Sequence, residues 1–562
     1  MPTVAIHCPP QPTPPPGDQP LTLSLTPGVQ PAVYALSEFD LNTTVKVKNP
    51  FDPAQIDLVV NYTAPSGETL TIPAFWYQAY DPTGSEPCGA PGWKARLTPT
   101  LPGKWTAQAE IRNLKIKSAA ITFQVAPSSA RGFIRINAKN PHYFAFDNGE
   151  TYFPVGLNIG WWKSDPLRDY RRWMDALHTN GGSLIRVWMA DWSFGIEWQD
   201  TGLGDYSKRE RQAWLLDQVF QMASQQNINI DLVLLNHGAF SETVNPEWNA
   251  NPYNVANGGM CQTPECFVTN PQAQDYFKRR LRYIAARWGY SPNLLAWEWW
   301  NEVNWTPIKE DDLVNWIKVM TVELRKDDPY HHLVTISYAA NSSKKVLDLP
   351  EISFTQVHLY DFRDPSLSFG DIYQEMEALA PGKPILFGEF GFSASIEDAK
   401  SYDRDGTHLH NGLWEATFKG FASTAMYWWW DTYIEPLNLW GQFRSISTFL
   451  HGEDLATLAP GQAVLSNSLV AQALTLQNNT RLLLWIKNNR YEAAVTGAML
   501  GDPLHGLEVS STGLKDGKYQ VTWYDPTTSK WLDSVPIEVK DGKFNLPVPD
   551  FLKDIAARII PR

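Results

Sequence analysis

Eight short apolar runs, spaced by helix-length amphipathic segments, govern what this chain can fold into. Between residue 130 and about 450 they read "YFPVGLNIGW", "SLIRVWMA", "NIDLVLLNHG", "LLAWEWWNE", "HLVTISYAA", "SFTQVHLY", "PILFGEFGF" and "STAMYWWW". Helical patterns separate most of them, among them "DPLRDYRRWMDALHTNG", "QAWLLDQVFQMASQQN", "PQAQDYFKRRLRYIAARWG" and "DDLVNWIKVMTVELRKDD". The fifth connection, around "SSKKVLDLPE", is short and weakly helical. Strand and helix in alternation imply a parallel sheet. Eight units predict a closed (β/α)8 barrel rather than an open sheet.

The flanks have another rhythm. From residue 21 to about 127, short alternating runs such as "TTVKVKNP" and "IDLVVNYTAP" lie between Pro and Gly turns. "WKARLTPTLPGKWTAQAEI" reads as two strands joined by a Pro-Gly turn, and the whole as a small immunoglobulin-like sandwich. The last hundred residues return to β patterns: "TRLLLWIKNN", "GKYQVTWYDPTTSKWLD" and "GKFNLPVP". The expected organisation is multidomain, a TIM barrel flanked by two small all-β sandwich domains. Its pieces are a Pro-rich tail or linker (1–20), the N-terminal sandwich (21–128), the barrel (129–458) and a C-terminal sandwich (459–562).

Composition narrows the partners. A net charge of -13 argues against nucleic acid or an anionic membrane surface, and no stretch is long and apolar enough to span a membrane. Of four cysteines, Cys261 and Cys266 flank a short Pro-containing loop and can close a small disulfide. Cys8 and Cys88 can pair only if the N-terminal tail folds back. Neither spacing fits a zinc site. "CPPQPTPPPGDQP" reads as a polyproline-type stalk of the kind that tethers exported domains. A secreted or surface-tethered protein is therefore expected, with no export signal visible in this chain. The 25 tryptophans suit large cores, and equally suit platforms for the flat faces of sugar rings.

In a barrel of this type the chemistry lies at the C-terminal ends of the strands. There the sequence places Arg186 on strand two, Asn236–His237 on three, Asn301–Glu302 on four, His358 and Tyr360 on six, Glu389 on seven, and Trp428–Trp430 on eight. Singly, each has a bland reading: a salt-bridge partner, a histidine under a loop, a glutamate capping a turn. Six strands doing this together point to one convergent pocket. "LLAWEWWNEVNW" adds two glutamates among four tryptophans. Indoles around a carboxyl group disfavour its charged form and raise its pKa. Two carboxyl groups on opposing strands, Glu302 and Glu389, suit glycoside hydrolysis, in which one protonates the leaving oxygen and the other attacks the anomeric carbon.

On these residues the barrel resembles the clan A retaining glycoside hydrolases, and most closely family 5, the cellulase-like enzymes. The resemblance makes Glu302, after Asn301, the acid/base and Glu389 the nucleophile. It gives supporting places to Arg186, His237, His358, Tyr360 and one of Trp428 or Trp430, alternation leaving both open. The flanking "WKARLTPTLPGKWT" with "RGFIRI", and "YQVTWYDPTTSKW", resemble β domains found before and after such barrels in bacterial glycosidases. Under this reading Arg186 keeps Glu389 ionised, Tyr360 positions it, Asn301 binds the sugar 2-hydroxyl, and no metal or cofactor is needed. Glu298, four residues before Glu302, is expected deeper in the barrel as a paired structural ion.

Trp161, Trp162, Trp192, Trp305, Tyr433 and Trp440 fall in predicted loops and are candidates for stacking on sugar or for loop packing. The segment Phe240 to Asn270 is expected to shape the cleft. The expected function is a retaining β-glycosidase acting on a β-linked carbohydrate of β-glucan or β-mannan type. Two rival readings are a carbohydrate-binding protein on a silent barrel, which would bind without forming product, and a transglycosylase using the same glutamates.

Overall fold

The computed structural model describes residues 19–395, 400–493 and 497–562. Cys8 and most of the Pro-rich tail lie outside the described residues, and so does any pairing of Cys8 with Cys88.

Five strands, Gly156–Asn158, Leu184–Trp188, Asn229–Val233, Leu294–Glu298 and Leu333–Thr335, pair in sequence order and in parallel. Thr355–Leu359 and Ile385–Phe390 form a parallel pair. The Ser353 amide joins them to the fifth strand by donating to the Val334 carbonyl at 2.7 Å. The eighth apolar run contributes a single residue, Tyr427, which bridges both Phe390 on the seventh strand and Leu157 on the first. These strands are buried almost throughout, as expected where helices cover a parallel sheet. The helices Pro166–Thr179, Glu210–Gln226, Pro271–Trp288 and Glu310–Asp327 fall where the sequence predicts them. The fifth connection holds only Lys344–Leu347.

A small antiparallel sheet, Ile134–Ile136, Phe144–Phe146 and Thr151–Tyr152, precedes the first strand and is not foreseen by the sequence reading. Its Ile134, Phe144, Phe146 and Tyr152 pack with Leu184, Leu295, Leu333 and Leu386 into one buried cluster. Those leucines lie at or near the N-terminal ends of their strands, so this sheet plugs the barrel at the end away from Glu302 and Glu389.

Ahead of it, two antiparallel sheets enclose one core that includes Phe39, Tyr62, Trp93 and Trp105. Pro87–Leu97 and Gly103–Ile111 are joined by the Pro-Gly turn but lie in different sheets, so the turn crosses the core instead of closing a hairpin. The strand near "TTVKVKNP" ends at Thr43. Val45 and Val47 pack against the core without joining a ladder. After the barrel, a six-stranded and a three-stranded sheet, both antiparallel, enclose a core around Leu484, Val521 and Trp523.

Both flanking units are locked to the barrel by buried charge. Arg96 donates to Asp217 and to the Arg287 carbonyl, each at 2.7 Å, and Arg287, 0% exposed, pairs with Asp217 and Glu210. On the other side, His410 meets Asp554 at 2.8 Å, and buried Lys487 meets Asp364 at 3.0 Å.

Candidate active site

Arg186 organises the site. It is 0% exposed near the middle of the second strand. Its planar fork donates to Glu298 through Nε and Nη2, each at 2.7 Å. Nη2 also reaches Asn301 Oδ1 at 2.6 Å, and Nη1 reaches Glu389 Oε2 at 2.9 Å. A guanidinium presents five donors in fixed directions, and with Asn158 Oδ1 3.3 Å from Nη1, residues of strands one, four and seven read them. Burial works against its charge, but Glu298 and Glu389 more than offset this and hold its pKa above the usual range.

Asn301 is fixed between two partners, and this settles a tautomer. Its oxygen must face Arg186, which can only donate. Its Nδ2 therefore donates to His237 Nδ1 at 3.1 Å. His237 then carries its proton on Nε2, which faces Asn245 Oδ1 at 3.2 Å. Burial lowers the pKa of His237, so the ring is neutral near pH 7.

The two glutamates on strands four and seven face one another. Glu302, Glu389 and His358 each bring a ligand atom within 4.8 Å of the others. Such a cluster can bridge a cation, although Arg186 and the Tyr360 hydroxyl already donate to the two oxygens of Glu389. His358 Nδ1 lies 3.0 Å from Glu302 and 3.5 Å from Glu389, and burial lowers its pKa to about 4. Burial also raises the pKa of both glutamates. At each, a neighbouring histidine and the Arg186 charge oppose it, and Glu389 in addition touches the guanidinium directly and accepts from Tyr360.

Glu302 also has unusual backbone geometry, with φ 49° and ψ 51°. A side chain other than glycine in this left-handed region costs roughly 1–2 kcal/mol. Such strain persists where surrounding contacts over-determine it.

Below this layer lies a second. Glu298, Asp231 and Gln356 are fully buried, and Gln356 Nε2 lies 3.1 Å from both carboxylates. Burial pushes Glu298 up, yet the Arg186 fork wins and holds it below the usual range. Asp231 is pushed the other way, well up, by burial and by the Glu298 charge. Glu298 is thus the paired, deeper ion that its spacing in the sequence suggests.

Residues 147–431, half of the chain, match the model for cellulase, glycosyl hydrolase family 5. The chain belongs to glycoside hydrolase family 5. It is therefore a glycoside hydrolase on a TIM barrel. Residues 30–112 match a domain of unknown function, DUF5060. Among curated relatives, a mannan endo-1,4-beta-mannosidase F from Aspergillus fumigatus is 24% identical over 49% of this chain and 68% of its own length. A mannan endo-1,4-beta-mannosidase 2 from Arabidopsis thaliana is 25% identical over 48% of this chain and 71% of its own. A crystal structure of a Bacteroides vulgatus protein assigned to the glycoside hydrolases overlays 94% of this chain and 99% of that one, with TM-score 0.63 and 16% identity, a likeness of fold.

In this family 5 enzyme the expected residues Arg186, His237, Asn301, Glu302, His358, Tyr360 and Glu389 form one connected network. The aromatic candidates divide. Trp428 is partly buried and meets Trp161 and Trp188 at ring distances of 5.4 and 5.3 Å. Trp430 is buried behind Trp161 and begins a π-helical turn, Trp430–Ile434. Of the two, Trp428 is the less buried. Trp192 and Trp305 are 42% and 43% exposed, on the loops after strands two and four. Trp162 packs on Phe194 at 5.0 Å. Tyr433 and Trp440 are buried, and Tyr433 donates to Asp403, so both are packing residues and not stacking platforms. A disulfide joins Cys261 and Cys266 within the long loop after strand three.

Strands one and five also supply the site, which the sequence reading missed. Asn158 touches Arg186 at 3.3 Å and donates to the Gly388 and Met426 carbonyls. Ser337 accepts from the Glu302 amide. The only sequence signal was a small polar residue ending each apolar run. Two loop carboxyls, Asp191 and Glu247, are also raised by burial, Glu247 to about 7.

Proposed function

We propose that this enzyme hydrolyses a β-linked polysaccharide by double displacement, with Glu389 as nucleophile and Glu302 as acid/base. The supporting observation is the separation of the two carboxyl groups, whose nearest ligand atoms lie within 4.8 Å. Retaining enzymes hold the pair about 5–5.5 Å apart, whereas inverting enzymes need roughly 6.5–9.5 Å to admit a water. Glu389, ionised beside Arg186, attacks the anomeric carbon. Glu302 gives its proton to the departing oxygen and then takes one from the incoming water. Asn301, held by Arg186 and His237, keeps the second hydrogen of its Nδ2 for a sugar hydroxyl, and Trp428 and the exposed Trp305 are the rings offered to the sugar. The named activity of the relatives makes β-1,4-mannan the first substrate to try, with β-glucan second.

The same reading divides the chain into a tail (1–20), an immunoglobulin-like sandwich (21–128), a closed eight-stranded barrel (129–458) and a second sandwich (459–562). Two sheets around one core in each flank support it. The Cys261–Cys266 disulfide fits an exported or surface-tethered protein.

The deciding experiment compares the parent with Glu389→Gln and Glu302→Ala on mannan, glucan and aryl β-glycosides. Both variants should fold and lose at least about a thousandfold in turnover of the polysaccharide. Azide should rescue Glu302→Ala and yield a β-glycosyl azide. An α-glycosyl azide, or parental turnover in either variant, would overturn the mechanism.

A further inference from the structure

The left-handed backbone of Glu302 needs something to hold it, and one residue surrounds it. Ser337 lies two residues beyond the fifth strand and is fully buried. Its amide donates to the Trp300 carbonyl at 3.0 Å, and its carbonyl accepts from the Val303 amide at 3.2 Å. Between these two brackets, its Oγ accepts from the Glu302 amide at 3.1 Å and donates to Glu298 Oε1 at 2.7 Å. A hydroxyl has one proton. Ionised Glu298 can only accept, so it takes that proton and turns the oxygen lone pairs towards Glu302. Arg186 keeps Glu298 ionised. The chain of polarity runs from the guanidinium through Glu298 and the hydroxyl to the backbone of Glu302.

We propose that Ser337, oriented by Glu298, is a positioning residue for the proton donor. It fixes the turn from which the Glu302 carboxyl reaches His358 and the space opposite Glu389. The inference rests on Glu302 being the acid/base. It assigns to the buried ion pair beneath the site a task in proton transfer, and it singles out one step. Protonation of the leaving oxygen should depend on Ser337, whereas attack by Glu389 should not.

Leaving groups of different basicity separate these steps. A 2,4-dinitrophenolate departs without a proton, whereas a phenolate needs one. The test measures kcat/KM, which reports the first displacement, on phenyl and 2,4-dinitrophenyl β-mannobiosides, or on the β-cellobioside pair if the parent turns over only that pair. Ser337→Ala should lose about tenfold or more on the phenyl substrate, the rate equivalent of one buried hydrogen bond. On the dinitrophenyl substrate it should stay within about twofold of the parent. Ser337→Thr, which keeps the hydroxyl, should recover most of the phenyl activity. Ser337→Cys, which fills the space with a weaker hydrogen-bonding atom, repeats the measurement should the alanine variant lose its fold. Equal losses on both substrates, or no loss on either, would overturn the proposal. A Glu302→Ala control that loses both substrates equally overturns the acid/base assignment instead.

Discussion

Glu298 and Glu389 share Arg186, so two carboxylates draw on one cation. Neutralising the deeper one leaves the guanidinium charge to Glu389 alone and removes a repulsion that raises Glu302. Both pKa values then fall. In Glu298→Gln the acidic and basic limbs of the kcat/KM profile should move to lower pH, by about one unit. A basic limb that stays in place would show that Glu298 exerts no field on Glu302. Most of this site was legible in the sequence, because charged and aromatic residues ending apolar runs stand out. Ser337 and Asn158 did not stand out, since a small neutral polar residue ends many strands. Nor does any residue type announce a left-handed glutamate, whose backbone contacts come from Ser337, beyond the fifth strand.

Elements act on the site through close packing. Gly388 lies next to Glu389 on the seventh strand, and a Cβ there would meet Gln356 Oε1 at 2.0 Å and His358 Nε2 at 3.3 Å. Gly388→Ala should displace Gln356 from Asp231 and Glu298, costing about 1–3 kcal/mol of stability and at least about tenfold in kcat/KM. Gly92→Ala, whose Cβ would meet nothing within 4 Å, is the matched control. Denaturant unfolding and kinetics on both variants check this, and equal behaviour would contradict it. The barrel strands were legible because burial on both faces gives unbroken apolar runs. The eighth was overread: after Tyr427 the chain turns into a π-helix, and three consecutive tryptophans look alike whether they extend or turn. The plug at residues 134–152 escaped notice because its strands are two or three residues long, too short to show a period.

At the scale of the molecule, the junction between the barrel and the last β unit carries a pH dependence of its own. Glu415 is 1% exposed on the helix Thr407–Lys419, where it accepts from Gln472 at 3.3 Å and faces Lys419 at 3.5 Å. Burial raises its pKa to about 7. A carboxyl raised by folding contributes stability that is full below its ordinary value near 4.5 and is lost as pH rises through about 7. Glu415→Gln, uncharged at every pH, should match the parent near pH 4.5 and exceed it near pH 8 by on the order of 2–3 kcal/mol. A constant difference in unfolding free energy across that range would refute the assignment.

The buried charges at the opposite junction bear on how such a chain can be rearranged. The family match begins at residue 147, yet Arg96, the plug strand at Ile134 and the Tyr330 hydroxyl that receives the Thr98 amide tie earlier segments into the barrel. A barrel cut free at 147 would open its base and leave Asp217 and Arg287 facing water without Arg96. The unit that recombination can move intact is therefore larger than the catalytic segment: the first β domain travels with the barrel or the barrel does not travel.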